Sequence, residues 1–510
     1  MTAALLGIDI GTSGCKALFI GLDGSVLAAD TAGYPLAQPR PGWTEQDPAL
    51  WIAAVQASVA GALAQARARL GALEVLGVGL CGQMHGMTPL DAAHRVLRPA
   101  ILWNDQRNGA ECAAITEAAG GLAGLLAATN NRMLPGYTGG KIVWMQRHEP
   151  ALFADVRLVL NPKDYLRLVL TGEVATEVSD ASGTGLFDVR ARRWARPLIE
   201  RLGIDPALLP PCFESPEVTG RLSAHGAALL GLAPGIPVVG GGGDSVVQTI
   251  GSGVISPGEL QTTIGTAGIL AAALDSPQDN PDGLLQVFCN VVPDKWHCMG
   301  VSLNAGGAFA WLRDIVRHAA GGAAIDYDAI VAAAAAAPVG ARGLLFLPYL
   351  NGERCPYPDP AARGAFIGLT ARHQASDIAR SVMEGIVHAL GDMHALMATM
   401  GIEGREIKAS GGGARSALWR QIQADLFGCD VVTSEGAAQG GAFGAALVAG
   451  IGLGVWPDGA AAAASCRALT RQHPDAAAGA VLRRAHAVYR GLYPALQPAF
   501  TALGDAAFGS

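Results

Sequence analysis

Two aspartates sit where an acid is costly unless it works. Asp9 interrupts an apolar run, Leu5-Leu6-Gly7-Ile8-Asp9-Ile10. It precedes Gly11-Thr12-Ser13-Gly14 and a second apolar run, Cys15-Lys16-Ala17-Leu18-Phe19-Ile20. A carboxylate among apolar residues needs a cation or hydrogen bonds to compensate it. The small residues of the turn offer backbone N–H groups and hydroxyls, the kind of nest that cradles a phosphate. A carboxylate for Mg²⁺ beside such a nest is the chemistry of a nucleotide site. Asp244 follows four glycines, Gly240 to Gly243, which let the backbone bring its carboxylate close to a ligand. A hydroxyl that receives a phosphoryl group needs such a carboxylate to accept its proton. Each residue also has a plainer reading. Asp9 would be an exposed residue of a hairpin, and Asp244 the cap of a helix beginning at Ser245.

Two common nucleotide motifs are excluded around Asp9. A P-loop requires GxxxxGK[ST] leading into a helix, and that pattern is missing. A dinucleotide fingerprint requires GxGxxG between strand and helix, whereas the glycines here are 7, 11 and 14 and a strand-like run follows. Asp23-Gly24 turns that run into Ser25-Val26-Leu27-Ala28-Ala29, a further hairpin.

The elements that position these residues read as alternating strands and helices. Leu50 to Leu70 has helical spacing, with Asp47-Pro48 as its start. Val75–Leu80 ends in Cys81-Gly82-Gln83-Met84-His85-Gly86, and Arg98–Trp103 leads into Asn104-Asp105-Gln106-Arg107. Pro234–Val239 leads into the glycine run before Asp244. Ligands of α/β folds sit at such strand ends. The second half repeats the style. Glu259–Ile264 ends in Gly265-Thr266-Ala267-Gly268, and Ile407–Ser410 ends in Gly411-Gly412-Gly413 before a helix-like stretch from Ala414 to Phe427. Two strand–turn–strand motifs suggest duplicated cores, with a boundary near Ser252 to Gly258. The alanine clusters at 332–337, 460–464 and 476–479 read as helix surface or loop filler.

At 510 residues two domains are the natural expectation. The chain is 50% hydrophobic and 15% charged, so it is globular rather than disordered. A net charge of −7 without basic clusters argues against nucleic-acid or anionic-membrane partners. No signal peptide and no uninterrupted apolar run of about 18 residues is read, which predicts a cytoplasmic protein without a spanning helix. The nine cysteines include no CxxC pair and are odd in number, so free thiols in a reducing compartment are expected. Cys289, His297 and Cys298 fit no standard zinc spacing.

Several segments, in one order along nearly the whole chain, resemble the FGGY carbohydrate kinases. They are GIDIGTSGCKALFIGLDG at the start, GQMHGM at 82–87, ILWNDQR at 101–107, NRMLPGYTGGKIVWMQRHEP at 131–150 and NPKDYLRLVLTGEVATEVSDASGTGLFD at 161–188. They continue with GGGGDSVVQTIGSG at 240–253, TIGTAG at 263–268, LPYLNGERCPYPDPAARGAFIGL at 347–369 and ASGGGARSALWRQIQADLFG at 409–428.

The resemblance implies an α/β fold of two actin-like, ribonuclease-H-like ATPase domains with a catalytic cleft between them. Residues 1–253 would hold the sugar and 254–510 the adenosine. It implies ATP and Mg²⁺ as cofactors, a small-molecule sugar as substrate with D-xylulose the expected acceptor, and a homodimer as a family-level expectation. Another ketose or polyol kinase is the nearest alternative, and an actin- or Hsp70-like ATPase a more distant one. By the resemblance Asp244 is the catalytic base, and Asp9 lies near the metal and the transferred phosphate. Gly11, Thr12 and Ser13 form the first phosphate hairpin, and Gly265 and Thr266 the second. Gly411, Gly412, Gly413 and Ser416 belong to the adenosine turn. Met84 and His85 contact the sugar, with Trp103, Asn104 and Asp105 as further contacts. Asn161 departs from the family's usual residue before Pro-Lys-Asp and receives no role.

Overall fold

The computed structural model describes residues 2–505. The chain divides into two units. The first holds the residues up to Ile255 together with Ala273–His297 and Gln439–Arg467. The second holds Ser256–Ala272, Cys298–Ala438 and the chain from Ala468 onward. The expected division at 253/254 lies close to the first crossing, at 255/256. Residues 273–297 and 439–467 return to the first unit.

The first unit is built on a seven-stranded sheet. Its strands run in the order Val218–Arg221, Pro237–Val239, Leu73–Gly82, Thr2–Ile10, Gly14–Gly21, Val26–Gly33, and Gly242–Gly243 also pairs with Leu73–Gly82. The Gly11–Ser13 turn joins two antiparallel strands, and Asp9 pairs across them with Lys16. On the other side Asp9 aligns in parallel with Cys81, which in turn aligns with Gly242.

Alternation along Thr2–Ile10 assigns its two faces. Ala4, Leu6, Ile8 and Ile10 belong to one apolar cluster with Trp51, Val55, Val59 and Leu63 of the Pro48–Leu70 helix. That helix begins as the sequence predicts, with the Asp47 carboxylate accepting the Ala49 N–H at 2.9 Å. By length and composition it is also apolar enough to cross a membrane. Its apolar residues Trp51, Val55, Val59 and Leu63 are packed on the sheet.

The opposite face, bearing Leu5, Gly7 and Asp9, receives the Gly441–Gly452 helix. A Cβ on Gly7 would lie 1.9 Å from the Ala442 carbonyl oxygen, and one on Gly79 1.9 Å from that of Ala445. The two glycines therefore let this helix approach the sheet backbone directly. Gly79→Ala is expected to lower stability by about 1–3 kcal/mol through overpacking. Urea unfolding would read this as a lower midpoint, and an unchanged midpoint would mean that the helix does not rest there.

The second unit repeats the plan. Gly258–Ile264 and Gly268–Leu274 form an antiparallel hairpin around Gly265–Ala267. Gly404–Ser410 lies parallel to Gly258–Ile264, followed by Asp430–Ser434 in parallel and Ala468–Gln472 antiparallel. As in the first unit, a long helix (Ala375–Thr399) precedes the parallel strand; a Gln374–Asp377 capping box starts it. The sequence placed the start of the 414–427 helix too early. Residues 412–415 form a 3-10 turn, and the helix proper is Ala417–Phe427. The three alanine clusters fall in or beside the helices Tyr327–Ala335, Gly459–Ala464 and Ala476–Tyr489. All nine cysteines are free.

Candidate active site

In the first unit the Gly11–Ser13 turn has its acceptors occupied. The Gly11 carbonyl accepts from the Tyr34 hydroxyl at 2.5 Å, that of Thr12 from Gln46 Nε2 at 2.7 Å, and that of Ser13 from the Tyr34 N–H at 3.1 Å. The Gly11 N–H closes the turn on the Gly14 carbonyl at 3.0 Å, so with its carbonyls held the turn offers the Thr12 and Ser13 amides and hydroxyls to an anion. Gln46 itself is fixed by Trp51 Nε1 and Gln83 Nε2, each donating at 2.9 Å. Nothing local in the sequence marks Gln46 for this task.

Asp9 lies two residues before Gly11. Its Oδ1 is shielded from solvent and has no hydrogen-bond partner among the described residues. Burial raises its carboxyl above the ordinary range, and Cys81 and Lys16 offset part of that rise. Lys16 is held by Gln439, donating to its side-chain oxygen at 2.7 Å. A Cβ on Gly441 would come within 2.8 Å of Asp9 Oδ2, so only glycine leaves room there at the start of the 441–452 helix. An orphaned hard oxygen beside a phosphate-type turn fits Mg²⁺, which binds through one or two carboxylates plus substrate phosphates rather than a protein cage.

Asp244 emerges from the glycine run as the first residue of the Asp244–Gly251 helix. The run adds a short strand beside Leu73–Gly82, so Asp9, Cys81 and Gly242 stand abreast on three neighbouring strands. Two strand spacings make roughly 10 Å between the Asp9 and Gly242 backbones, and Asp244 follows two residues after Gly242. Burial, and then the like charge of Asp9, push the Asp244 carboxyl up to about 7. Donors hold it from rising further: the Ser245 N–H at 2.7 Å, the Ser245 hydroxyl at 3.3 Å and the Met84 backbone. The sequence had offered Asp244 as a helix cap, but the N-cap position belongs to Gly243.

Met84 and His85 adjoin this carboxylate. Met84 is buried, and a Cβ on Gly243 would strike its side chain at 2.5 Å. His85 has φ +70°, a left-handed backbone that non-glycine residues adopt at a cost. Its carbonyl is pinned by Lys141 Nζ at 2.7 Å and the Thr138 hydroxyl at 3.1 Å. Burial draws the Lys141 ammonium down to about 7. His85 Nδ1 lies 2.6 Å from the Gly183 carbonyl, which only accepts, so Nδ1 carries the proton. The ring stacks on Tyr137 with centroids 4.7 Å apart.

Trp103 is tied to the first turn, its indole N–H donating to Thr12 Oγ1 at 2.9 Å. Asn104 Oδ1 and Gln83 Oε1, like Asp9 Oδ1, are shielded acceptors with no partner among the described residues. Asp105 differs from its expected role as a sugar contact. It is fully buried, and both oxygens are engaged: Oδ1 by the Arg107 N–H and Nε at 2.9 Å, Oδ2 by Arg107 Nη2 at 2.7 Å and the Thr44 N–H at 2.6 Å. Four charge-assisted or amide bonds fill the carboxylate, so it shapes the loop and has no lone pair left for a sugar.

A buried cluster anchors the glycine run. Lys163 Nζ lies within 3.1–3.2 Å of Asp164, Glu177 and Asp180 and donates to the Gly240 carbonyl at 3.1 Å. Burial opposes its charge, but the three carboxylates outweigh that penalty and hold it above its ordinary value. Glu177 accepts from Ser179, whose hydroxyl accepts the Gly243 N–H at 2.9 Å. Asn161 sits beside them, buried, with its Nδ2 donating to the Asp180 carbonyl at 3.3 Å. These positions lie within the 161–188 segment, but no local pattern singles them out. Lys163→Met is expected to cost about 3–5 kcal/mol, because it strands buried carboxylates. Urea unfolding tests this, and a wild-type midpoint would mean that the carboxylates are compensated otherwise.

In the second unit the remaining candidates converge on Ile264. The Gly265 and Thr266 carbonyls accept from the start of the Gly306–Ala319 helix, Gly306 N–H at 2.7 Å and Ala305 N–H at 2.9 Å. Gly411 has φ +75°, and a Cβ there would meet the Ile264 carbonyl at 2.7 Å; one on Gly413 would meet the Ile264 side chain at 2.6 Å. Gly412 is exposed between them. The Ser416 hydroxyl caps the Ala417–Phe427 helix, accepting the Trp419 N–H at 3.3 Å. The two turns expected to meet a nucleotide are thus adjacent within this unit.

Residues 4–251 match the N-terminal domain of the FGGY family of carbohydrate kinases, and residues 260–453 match its C-terminal domain. The chain belongs to the FGGY family of carbohydrate kinases and has that family's two-domain, actin-like fold. It is 39% identical over 446 residues to a xylulose kinase of Escherichia coli (strain K12), covering 88% of this chain and 89% of the relative. A solved xylulose kinase from Rhodospirillum rubrum superposes with a TM-score of 0.89 at 31% identity, covering 98% of this chain and all of the other. A gluconate kinase from Lactobacillus acidophilus superposes with a TM-score of 0.91 at 26% identity, covering 99% of this chain and 100% of that one.

Proposed function

We propose that the protein phosphorylates D-xylulose with ATP, giving D-xylulose 5-phosphate and ADP, a cytoplasmic step of xylose catabolism. The reading rests on the two site aspartates in the first unit: Asp244, a carboxyl brought to about 7, and Asp9 with its unpartnered oxygen at the phosphate-type turn. The resemblance to xylulose kinases supports the choice of sugar. The gluconate kinase neighbour makes clear why the fold by itself does not select it.

The sugar lies against Met84, His85, Trp103 and Asn104. The shielded Asn104 Oδ1 and Gln83 Oε1 suit hydroxyl donors, since a buried acceptor left unpaired costs about 1–3 kcal/mol. The 5-hydroxyl oxygen attacks the γ-phosphorus of ATP, the bond to the β-bridging oxygen breaks, and ADP leaves. Asp244, ionised, takes the hydroxyl proton as the new bond forms. The Thr12 and Ser13 amides hold phosphate oxygens beside Gly11, and Gly265, Thr266, Gly411 to Gly413 and Ser416 hold the nucleotide. Mg²⁺, when bound, draws charge from the phosphate oxygens, and Asp9 is the residue that would hold it.

A coupled ADP-release screen over ketoses, aldoses and polyols with MgATP tests the substrate. D-xylulose is expected to give the highest kcat/KM. A preference for gluconate, glycerol or another ketose would overturn D-xylulose and leave the kinase class standing.

A further inference from the structure

The first unit holds a second concavity, of about 830 Å³, lined by the hairpin of Phe187–Asp188 and Arg193–Trp194 and by the Arg196–Arg201 helix. That volume suits a small molecule. Four arginines line it, Arg192, Arg193, Arg196 and Arg201, within a chain of net charge −7. Arg192 is neutralised by Glu214 through a two-pronged pair at 2.7 and 2.5 Å. Arg201 donates to the Ala118 carbonyl at 3.3 Å. Arg193 and Arg196 have no side-chain hydrogen bond or ion pair among the described residues. The acid on this wall, Asp188, is engaged in its own turn, accepting the Arg190 and Ala191 N–H groups at 3.1 Å. Trp194 is half-buried and fixed, its indole N–H on the Pro210 carbonyl at 3.0 Å and its ring edge-on to Phe187 at 5.4 Å.

We propose that this cavity binds a phosphate monoester, with the phosphate on Arg193 and Arg196 and the neutral body against Trp194. Arg193 and Arg196 are exposed at the cavity's edge, and two unneutralised guanidinium groups match the charge of a dianionic phosphate. The volume exceeds what inorganic phosphate fills, and the fixed indole gives a rigid surface for the remainder. Two of the elements that form the cavity are tied to the site described above. Cys212, on the cavity wall, belongs to a strand that pairs with Thr176–Glu177, and the hairpin follows Gly183, whose carbonyl holds His85. The site is therefore placed to sense a phosphorylated product or related metabolite.

Titration calorimetry tests this with D-xylulose 5-phosphate and inorganic phosphate as probes, on wild type and on an Arg193→Gln/Arg196→Gln variant. D-xylulose is kept saturating to block the sugar site, a step that rests on the functional proposal. One equivalent of the ester is expected to bind wild type, about tenfold or more weaker in the variant and weaker at high salt. The variant should keep wild-type kcat. Inorganic phosphate should compete, with lower affinity. Affinity for the ester that is unchanged in the variant, or no binding to wild type, would overturn the proposal; equal affinity for phosphate and ester would overturn the role of Trp194. If D-xylulose fails to block the sugar site, a second binding event persists in the variant, which marks failure of the functional proposal instead.

Discussion

Asp244→Asn is expected to lower kcat with D-xylulose by about 10²–10⁴-fold, the usual contribution of a general base. The amide keeps the shape but accepts no proton, so D-xylulose binding measured by calorimetry should stay within a few-fold of wild type. The pH dependence carries the same signature. Burial and the Asp9 charge raise the Asp244 carboxyl to about 7, so it is protonated below that pH and ionised above it. Because the base works when ionised, kcat/KM of wild type should rise with pH through about 7 and level off above. In Asp244→Asn this limb should vanish. Near-wild-type turnover in the variant would reduce Asp244 to the first residue of its helix.

Asp9→Asn is expected to reduce kcat by about 10²–10³-fold, the scale of losing one preorganised electrostatic group, and to raise the Mg²⁺ concentration needed for half-maximal rate. The fold should persist, since asparagine is nearly isosteric and the Oδ1 position makes no hydrogen bond among the described residues. Removing a like charge beside Asp244 should also move the acid limb of the residual activity to lower pH, because Asp9 is one of the causes that raise it. Unchanged turnover with an unchanged Mg²⁺ titration would remove Asp9 from the phosphate site.

What was legible in the sequence was what contradicts its surroundings. Asp9 stands out because an acid interrupts a strand, and Asp244 because glycines precede it; the strand–turn–strand pairs follow from short-range spacing. Asp105 shows the limit. Its type and position suggest a ligand, yet Arg107, two residues on, folds back and fills it. Gln46, Lys163, Glu177 and Ser179 support the site through contacts far apart in sequence, which no local pattern encodes. The return of the 441–452 helix to the first unit is of the same kind. It depends on Gly7 and Gly79 clearing space for a helix more than 350 residues away.

As a carbohydrate kinase the protein moves a phosphoryl group from ATP to a sugar hydroxyl rather than to water. The direct measurement is ³¹P NMR of the enzyme turning over MgATP with D-xylulose. ADP and D-xylulose 5-phosphate are expected in equal amounts, with little ADP formed when the sugar is left out. ADP and inorganic phosphate appearing at the same rate with or without D-xylulose, and no sugar phosphate resonance, would contradict it.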